Sequence, residues 1–208
     1  MSAFFDTNIL RPDSLADPEV VRRRLTLLEE AHVRPLTAYV RALRDSGHGF
    51  VPDFDPLDGG TNARLLFLQE KPGPKTFPPL GSGFISRDND DPTARHSHRF
   101  MQEAGIPREG VVLWNTIPGW NETREFTHDE ARRGASELPA FLALLPNLRG
   151  VVLVGNLAAK YGAPFLAGRN LREFRSRHTS DQARNGTHSR EGWRMIPEIW
   201  RGAWEAVR

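Results

Sequence analysis

The 208-residue chain contains no cysteine. Disulfides, zinc–thiolate sites and cysteine-bound iron–sulfur clusters are therefore excluded. It also has no apolar run approaching the ~18 residues that cross a bilayer, so no membrane helix is expected. Met1 to Leu10 lack the basic-then-apolar pattern of a secretory signal. A phosphate-binding Gly-x-x-x-x-Gly-Lys loop, a Gly-x-Gly-x-x-Gly turn and a Gly-x-Ser-x-Gly elbow are all missing. These absences lead to the expectation of a soluble cytoplasmic protein without a cofactor or a membrane partner, with a monomer as the default state.

What is present is unevenly distributed. The net charge is only +2, yet residues 169–208 hold nine Arg against five acidic residues. Arginine suits bidentate contacts to phosphate. The plainer reading of such a segment is a solvated helical face.

Hydrophobic spacing predicts one long helix or two short ones over residues 18–46, from Val20, Val21, Leu25 and Leu28 onward. His48 to Asn62, rich in Asp, Pro and Gly, reads as a loop. Three short apolar runs follow, at 63–68, 111–114 and 151–154, and a fourth strand is expected at 174–177. Such runs suit buried parallel strands. Between them, Asp91-Pro92 and Thr127-x-x-Glu130 mark helix starts. A last helix is expected over about 191–207. The alternation predicts a three-layer α/β/α domain spanning 1–208, with a central four-stranded parallel sheet. Residues 1–60 would be a helical extension packed on it.

In such sheets ligands sit beyond the carboxyl ends of the strands. Those ends carry Gln69-Glu70-Lys71-Pro72-Gly73, then Gly81-Ser82-Gly83-Phe84, then Asn115, and finally His178-Thr179-Ser180. An amide that donates and accepts at once can pair with a base edge. A phenyl ring can stack on a base. A histidine can donate to a carbonyl oxygen that becomes negative as a base leaves. Taken singly, each residue is more commonly a turn, cap or core residue. A pair such as His96 and His98, two apart on a helix, points in different directions and is not expected to bind metal.

In order and placement these segments resemble the uracil-DNA glycosylase superfamily, in particular its thermophile-type branch. The resemblance covers roughly residues 63–207. There the first motif reads Gly-Glu-x-Pro-Gly, to which Gln69 to Gly73 is similar, and the last reads His-Pro-Ser, to which His178 to Ser180 is similar. Val154-Gly155-Asn156-Leu157 resembles the family's third strand end. The branch's cluster cysteines are absent, Thr179 replaces a proline, and Lys71 stands where another branch places a water-activating Asp.

The resemblance implies a DNA glycosylase of base-excision repair, excising uracil or a related deaminated base. It implies catalytic roles for Glu70, Asn115 and His178, and base contacts from Phe84, Asn115, Glu70 and Lys71. It implies DNA contacts from Pro72, Gly73, Ser180, Gln182 and Arg184. Glu70 or Asp88 would place the attacking water. The alternative is a DNA-binding protein on the same fold that has lost catalysis.

Overall fold

The structure, a computed structural model, describes residues 11–185 and 190–208, the Arg184 side chain excepted. Four parallel strands form the central sheet: β2 (Leu65–Gln69), β4 (Val111–Asn115), β5 (Gly150–Val154) and β6 (Arg172–Ser176). Their order is β4-β2-β5-β6. A small second sheet pairs β1 (Asp53–Phe54) with β3 (Phe84–Ile85), also in parallel. The fold is thus α/β, as the strand–helix alternation predicts. Every residue of β4 and β5 is buried, as expected for strands covered on both faces.

The two faces sort by strand alternation. Phe67 packs edge-on against Trp200 of α8 (Ile196–Val207), with centroids 4.7 Å apart. Phe100 of α3 (Pro92–Glu103) packs on the same side against Trp200. Trp114 points to the other face, where Phe54 stacks on it at 4.3 Å. Tyr39 of α2 (Arg34–Asp45) and Phe141 of α5 (Leu138–Ala143) complete that cluster. Helices on both faces make the three layers.

Local signals act as read. Asp91 caps α3 by accepting from the Ala94 N–H at 3.0 Å, and Thr127 caps α4 (His128–Ala135) through the Glu130 N–H at 3.1 Å. The reciprocal half of that capping box is not made, because the Glu130 carboxylate is used elsewhere. The 18–46 segment is two helices, α1 (Pro18–Thr26) and α2, which starts with Pro35 in its first turn. The loop over 48–62 contains β1 and a short 3-10 turn, Gly60–Asn62. The strand expected at 174–177 begins two residues earlier. The last helix is divided into α7 (Arg190–Arg194) and α8, with Pro197 opening the second.

One feature had no sequence signal. Arg24 of α1 is 1% exposed and lies between two fully buried carboxylates. Its Nη1 donates to Asp55 and its Nη2 to Asp88 at 2.6 Å. Arg108 approaches the same acids from the short 3-10 turn just before β4, donating to Asp55 at 2.7 Å, Asp88 at 2.6 Å and Asp58 at 3.0 Å. His98 of α3 pairs with Asp88 at 3.0 Å, and Ser86 donates to Asp55. Burial pushes Asp58 up to about 6, against the attraction of Arg108 and Arg87. Burial also acts on Asp88, but the His98 hydrogen bond and the two arginines outweigh it and hold that carboxyl well below the usual range.

Removing one partner from a buried ion network strands the others. Arg24→Met should therefore lower unfolding free energy by about 3–5 kcal/mol, read by urea denaturation. The pH dependence has a definite sign. Asp58 binds its proton more tightly folded than unfolded, so its contribution to stability grows as pH falls from about 6 toward the ordinary carboxylate value of 3.8. Asp58→Asn should remove that slope in the same window.

Candidate functional site

The carboxyl ends of β2 and β4 place Gln69 and Asn115 side by side in register. Both line a cleft of about 360 Å³. Asn115 is 3% exposed, and among the described residues nothing hydrogen-bonds its side-chain amide. The amide is not sealed from solvent; its atoms open onto the cleft. Its presence in the wall of a cleft marks a place where a ligand can supply the missing bonds.

His178 enters the same cleft from two residues beyond β6. The Ser180 N–H donates to its Nδ1 at 3.2 Å. That assigns the proton of the neutral ring to Nε2. Burial lowers the imidazole's proton affinity, partly offset by the charges of Glu70 and Asp91. The ring is thus a neutral Nε2–H donor around neutral pH. Thr179, at the position of the proline in the resembling motif, is 1% exposed. Its hydroxyl bonds Ser97 at 3.0 Å, and its carbonyl meets His96 Nδ1 at 2.8 Å, so the His178 segment is anchored on α3 by a hydrogen bond that proline could not make. His96 and His98 therefore serve different partners.

Pro72, Gly73, Ser180 and Gln182 also line the cleft, so the structure gathers them with Asn115 and His178. Arg184 lies in the backbone of α6 (Asp181–Asn185), and its side chain is outside the described residues. Glu70 lines an adjoining groove that shares His178 with the cleft. The Leu157 N–H donates to its Oε1 at 3.3 Å. Gly155, at φ +88°, lies so close that an added Cβ would come within 2.4 Å of the same oxygen.

Three sequence expectations meet a different arrangement. Phe84 is fully buried among Leu15, Val20, Leu28 and Val33, under the N-terminal helices, and does not line the cleft. Successive residues of a strand face opposite ways, so it is Ile85 that reaches the cleft wall. The Lys71 ammonium is saturated: it bonds Asn121 at 2.7 Å, the Glu125 carbonyl at 2.8 Å and Glu130 at 2.9 Å. An ammonium has three N–H bonds, so none remains for a base. Asp88 belongs to the buried arginine network and has 0% exposure, which removes it from contact with any water in the cleft.

Sequence reasoning missed Asp91, Asn89, Arg87 and Arg124, all of which line the cleft. Asp91 was visible only as a helix cap. Arg124 sits in the polar loop after β4, where nothing local distinguishes it. No family model matches the chain, and no curated protein matches it. Among the described residues no helix is long and apolar enough to cross a membrane, and no group of three or more His, Asp or Glu is arranged to hold a metal ion.

Two outcomes follow. Nitrogen-detected NMR should find His178 neutral at pH 7 with its proton on Nε2, and titrating below the ordinary value of 6.5. Lys71→Met should free the 121–125 loop, seen as faster amide exchange there, with the cleft residues of β2 and β4 still protected.

Proposed function

We propose that this protein is a DNA glycosylase that holds a flipped-out base in the strand-end cleft and hydrolyses its N-glycosidic bond. The observation that carries this reading is the pairing, in one cleft, of an amide open to the cleft and without a protein hydrogen-bond partner with a neutral imidazole donor. The Asn115 amide is suited to an adjacent carbonyl and N–H on a base edge. As the bond between sugar and base breaks, its electron pair moves onto the base, and a carbonyl oxygen there gains negative charge. The His178 Nε2–H is the donor for that oxygen. The sugar becomes oxocarbenium-like, and water adds to its anomeric carbon.

Glu70 and Asp91 are the carboxylates whose charge acts on His178, Glu70 the more strongly. Either charge opposes the positive sugar. Glu70 is the preferred candidate for orienting the water, with one oxygen fixed by Leu157. The rigid Pro72-Gly73 turn and Ser180 border the cleft and supply contacts for phosphates flanking the flipped nucleotide.

A second reading has a specific observation behind it. Lys71 is bound to Glu130 rather than free, and Asp88 is sequestered, so two positions considered for water activation are silent. A binding protein that flips bases without cutting would have this pattern.

Oligonucleotides carrying uracil, hypoxanthine or xanthine separate the two. Alkaline cleavage at abasic sites is the expected result for the enzyme, and binding without release is expected for the binder. If release occurs, His178→Ala and Asn115→Ala should each reduce kcat by about 10²-fold, the usual loss for one preorganised donor. Activity should persist as pH falls to 6.5 and decline only below it, because the neutral ring is the working form and burial extends its range downward.

A further inference from the structure

The cleft holds one more group with unused hydrogen-bonding capacity. Arg87, two residues past β3, is 5% exposed and lines the same cleft as Asn115 and His178. Its backbone is braced on both sides. Ser86 donates to Asp55 and accepts from the Asp88 N–H at 3.0 Å, and Asn89 donates to the Phe84 carbonyl at 2.9 Å. The acid paired with Arg87 is Asp58, whose Oδ1 lies 3.5 Å from Nη2. That oxygen already accepts from Arg108 Nε at 3.0 Å. Arg87 therefore has an ion partner but no hydrogen bond to it. Its Nε and Nη2 are sealed from solvent and have no hydrogen-bond partner among the described residues. Nη1 has none either, and it is not sealed: it opens onto the cleft.

Charge and hydrogen bonding part company here. Above about pH 6, where Asp58 is ionised, the arginines and aspartates of the cluster match one for one: Arg24, Arg87 and Arg108 against Asp55, Asp58 and Asp88. Burial draws the proton affinity of Arg87 down, and Asp58, shared with Arg108, offsets that through charge alone. What Arg87 has to spare is N–H groups. Donors without surplus charge suit a neutral carbonyl oxygen or ring nitrogen better than a phosphate. Nη1 thus joins the Asn115 amide and the His178 Nε2–H as a donor facing the cleft. Asn115 and His178 are enough for the two carbonyls of uracil. A further donor calls for a further acceptor atom. Xanthine has one: besides two carbonyls it carries the purine N7, which arginine reads together with O6 in guanine. Hypoxanthine has N7 but lacks the second carbonyl.

We infer that Arg87 is a further base-contacting residue and that the cleft takes a deaminated purine with two carbonyls, xanthine, in preference to uracil. This rests on the glycosylase reading for the identity of the ligand as a base of DNA.

Calorimetric titration with deoxyxanthosine, deoxyinosine and deoxyuridine, with inorganic phosphate as the anion control, tests the contact. Base release from xanthine- and uracil-containing oligonucleotides tests the reaction alongside it. Deoxyxanthosine should bind at least about tenfold more tightly than deoxyuridine, the scale of one hydrogen bond from a charged donor. Deoxyinosine should fall between them. Arg87→Lys keeps a charge beside Asp58 but has no Nη1, and it should bring the affinities for deoxyxanthosine and deoxyuridine together. Arg87→Met should do the same, and thermal melts establish that each variant is folded. If either variant unfolds, the order of affinities in the wild type decides the matter alone. Equal or tighter binding of deoxyuridine by the wild type, or an undiminished xanthine preference in Arg87→Lys, overturns the inference. So does phosphate binding that Arg87→Lys abolishes, since Arg87 would then be an anion contact. In each of those cases, release of either base leaves the glycosylase reading standing. A xanthine preference lost in Arg87→Lys, with no base released from any oligonucleotide, upholds the contact and sinks the glycosylase. If nothing binds and nothing is released, both fall.

Discussion

The buried network of Arg24, Arg108, Asp55, Asp58 and Asp88 is the constraint on which the rest of the site depends. It joins α1, the loop before β2, the segment after β3, α3 and the turn before β4. β3 and the segment after it supply Ile85, Ser86, Arg87, Asn89 and Asp91 to the cleft wall. Ion networks of this kind add little net stability over a well-packed apolar cluster. What this one does is fix geometry: each carboxylate has partners from two or more segments, so none of those segments can shift alone. The N-terminal helices therefore shape the site without touching it.

The cleft shows a division of labour. Of the groups proposed to read the base, Asn115 ends β4 in register with Gln69, and His178, two residues beyond β6, is held by the Ser180 N–H. Its outer residues come from loops and short helices. Rigid elements suit a task that depends on sub-ångström placement of donors. Loops suit a task that needs only charge and surface, such as holding a backbone.

Much of the fold was legible because buried parallel strands are written as uninterrupted apolar runs, and because Asp91 and Thr127 are unambiguous caps. Asn115 and His178 were legible because strand ends are few and topology brings them together. Phe84 was not, since a two-residue strand such as β3 carries no periodicity by which to tell its faces. Lys71 was misread for a different reason: its partners lie 50, 54 and 59 positions further on, in a loop whose path no local rule specifies and in the first turn of α4 after it. The arginine–aspartate network was invisible for the same cause, its bonds joining residues up to 64 positions apart.

The arginine excess near the C-terminus has a consequence unrelated to ligands. Strand β6 closes one side of the sheet, and no further strand pairs with it among the described residues. An open row of backbone donors and acceptors invites another chain to add itself. Here Arg172, Glu173 and Arg175 are exposed along that row, and only Phe174 between them is apolar. Charged side chains at an edge would lose hydration against an incoming strand, which disfavours pairing. The same arginines that suggest a polyanion partner thus also keep the sheet four strands wide, which protects the protein from edge-to-edge aggregation when it is crowded.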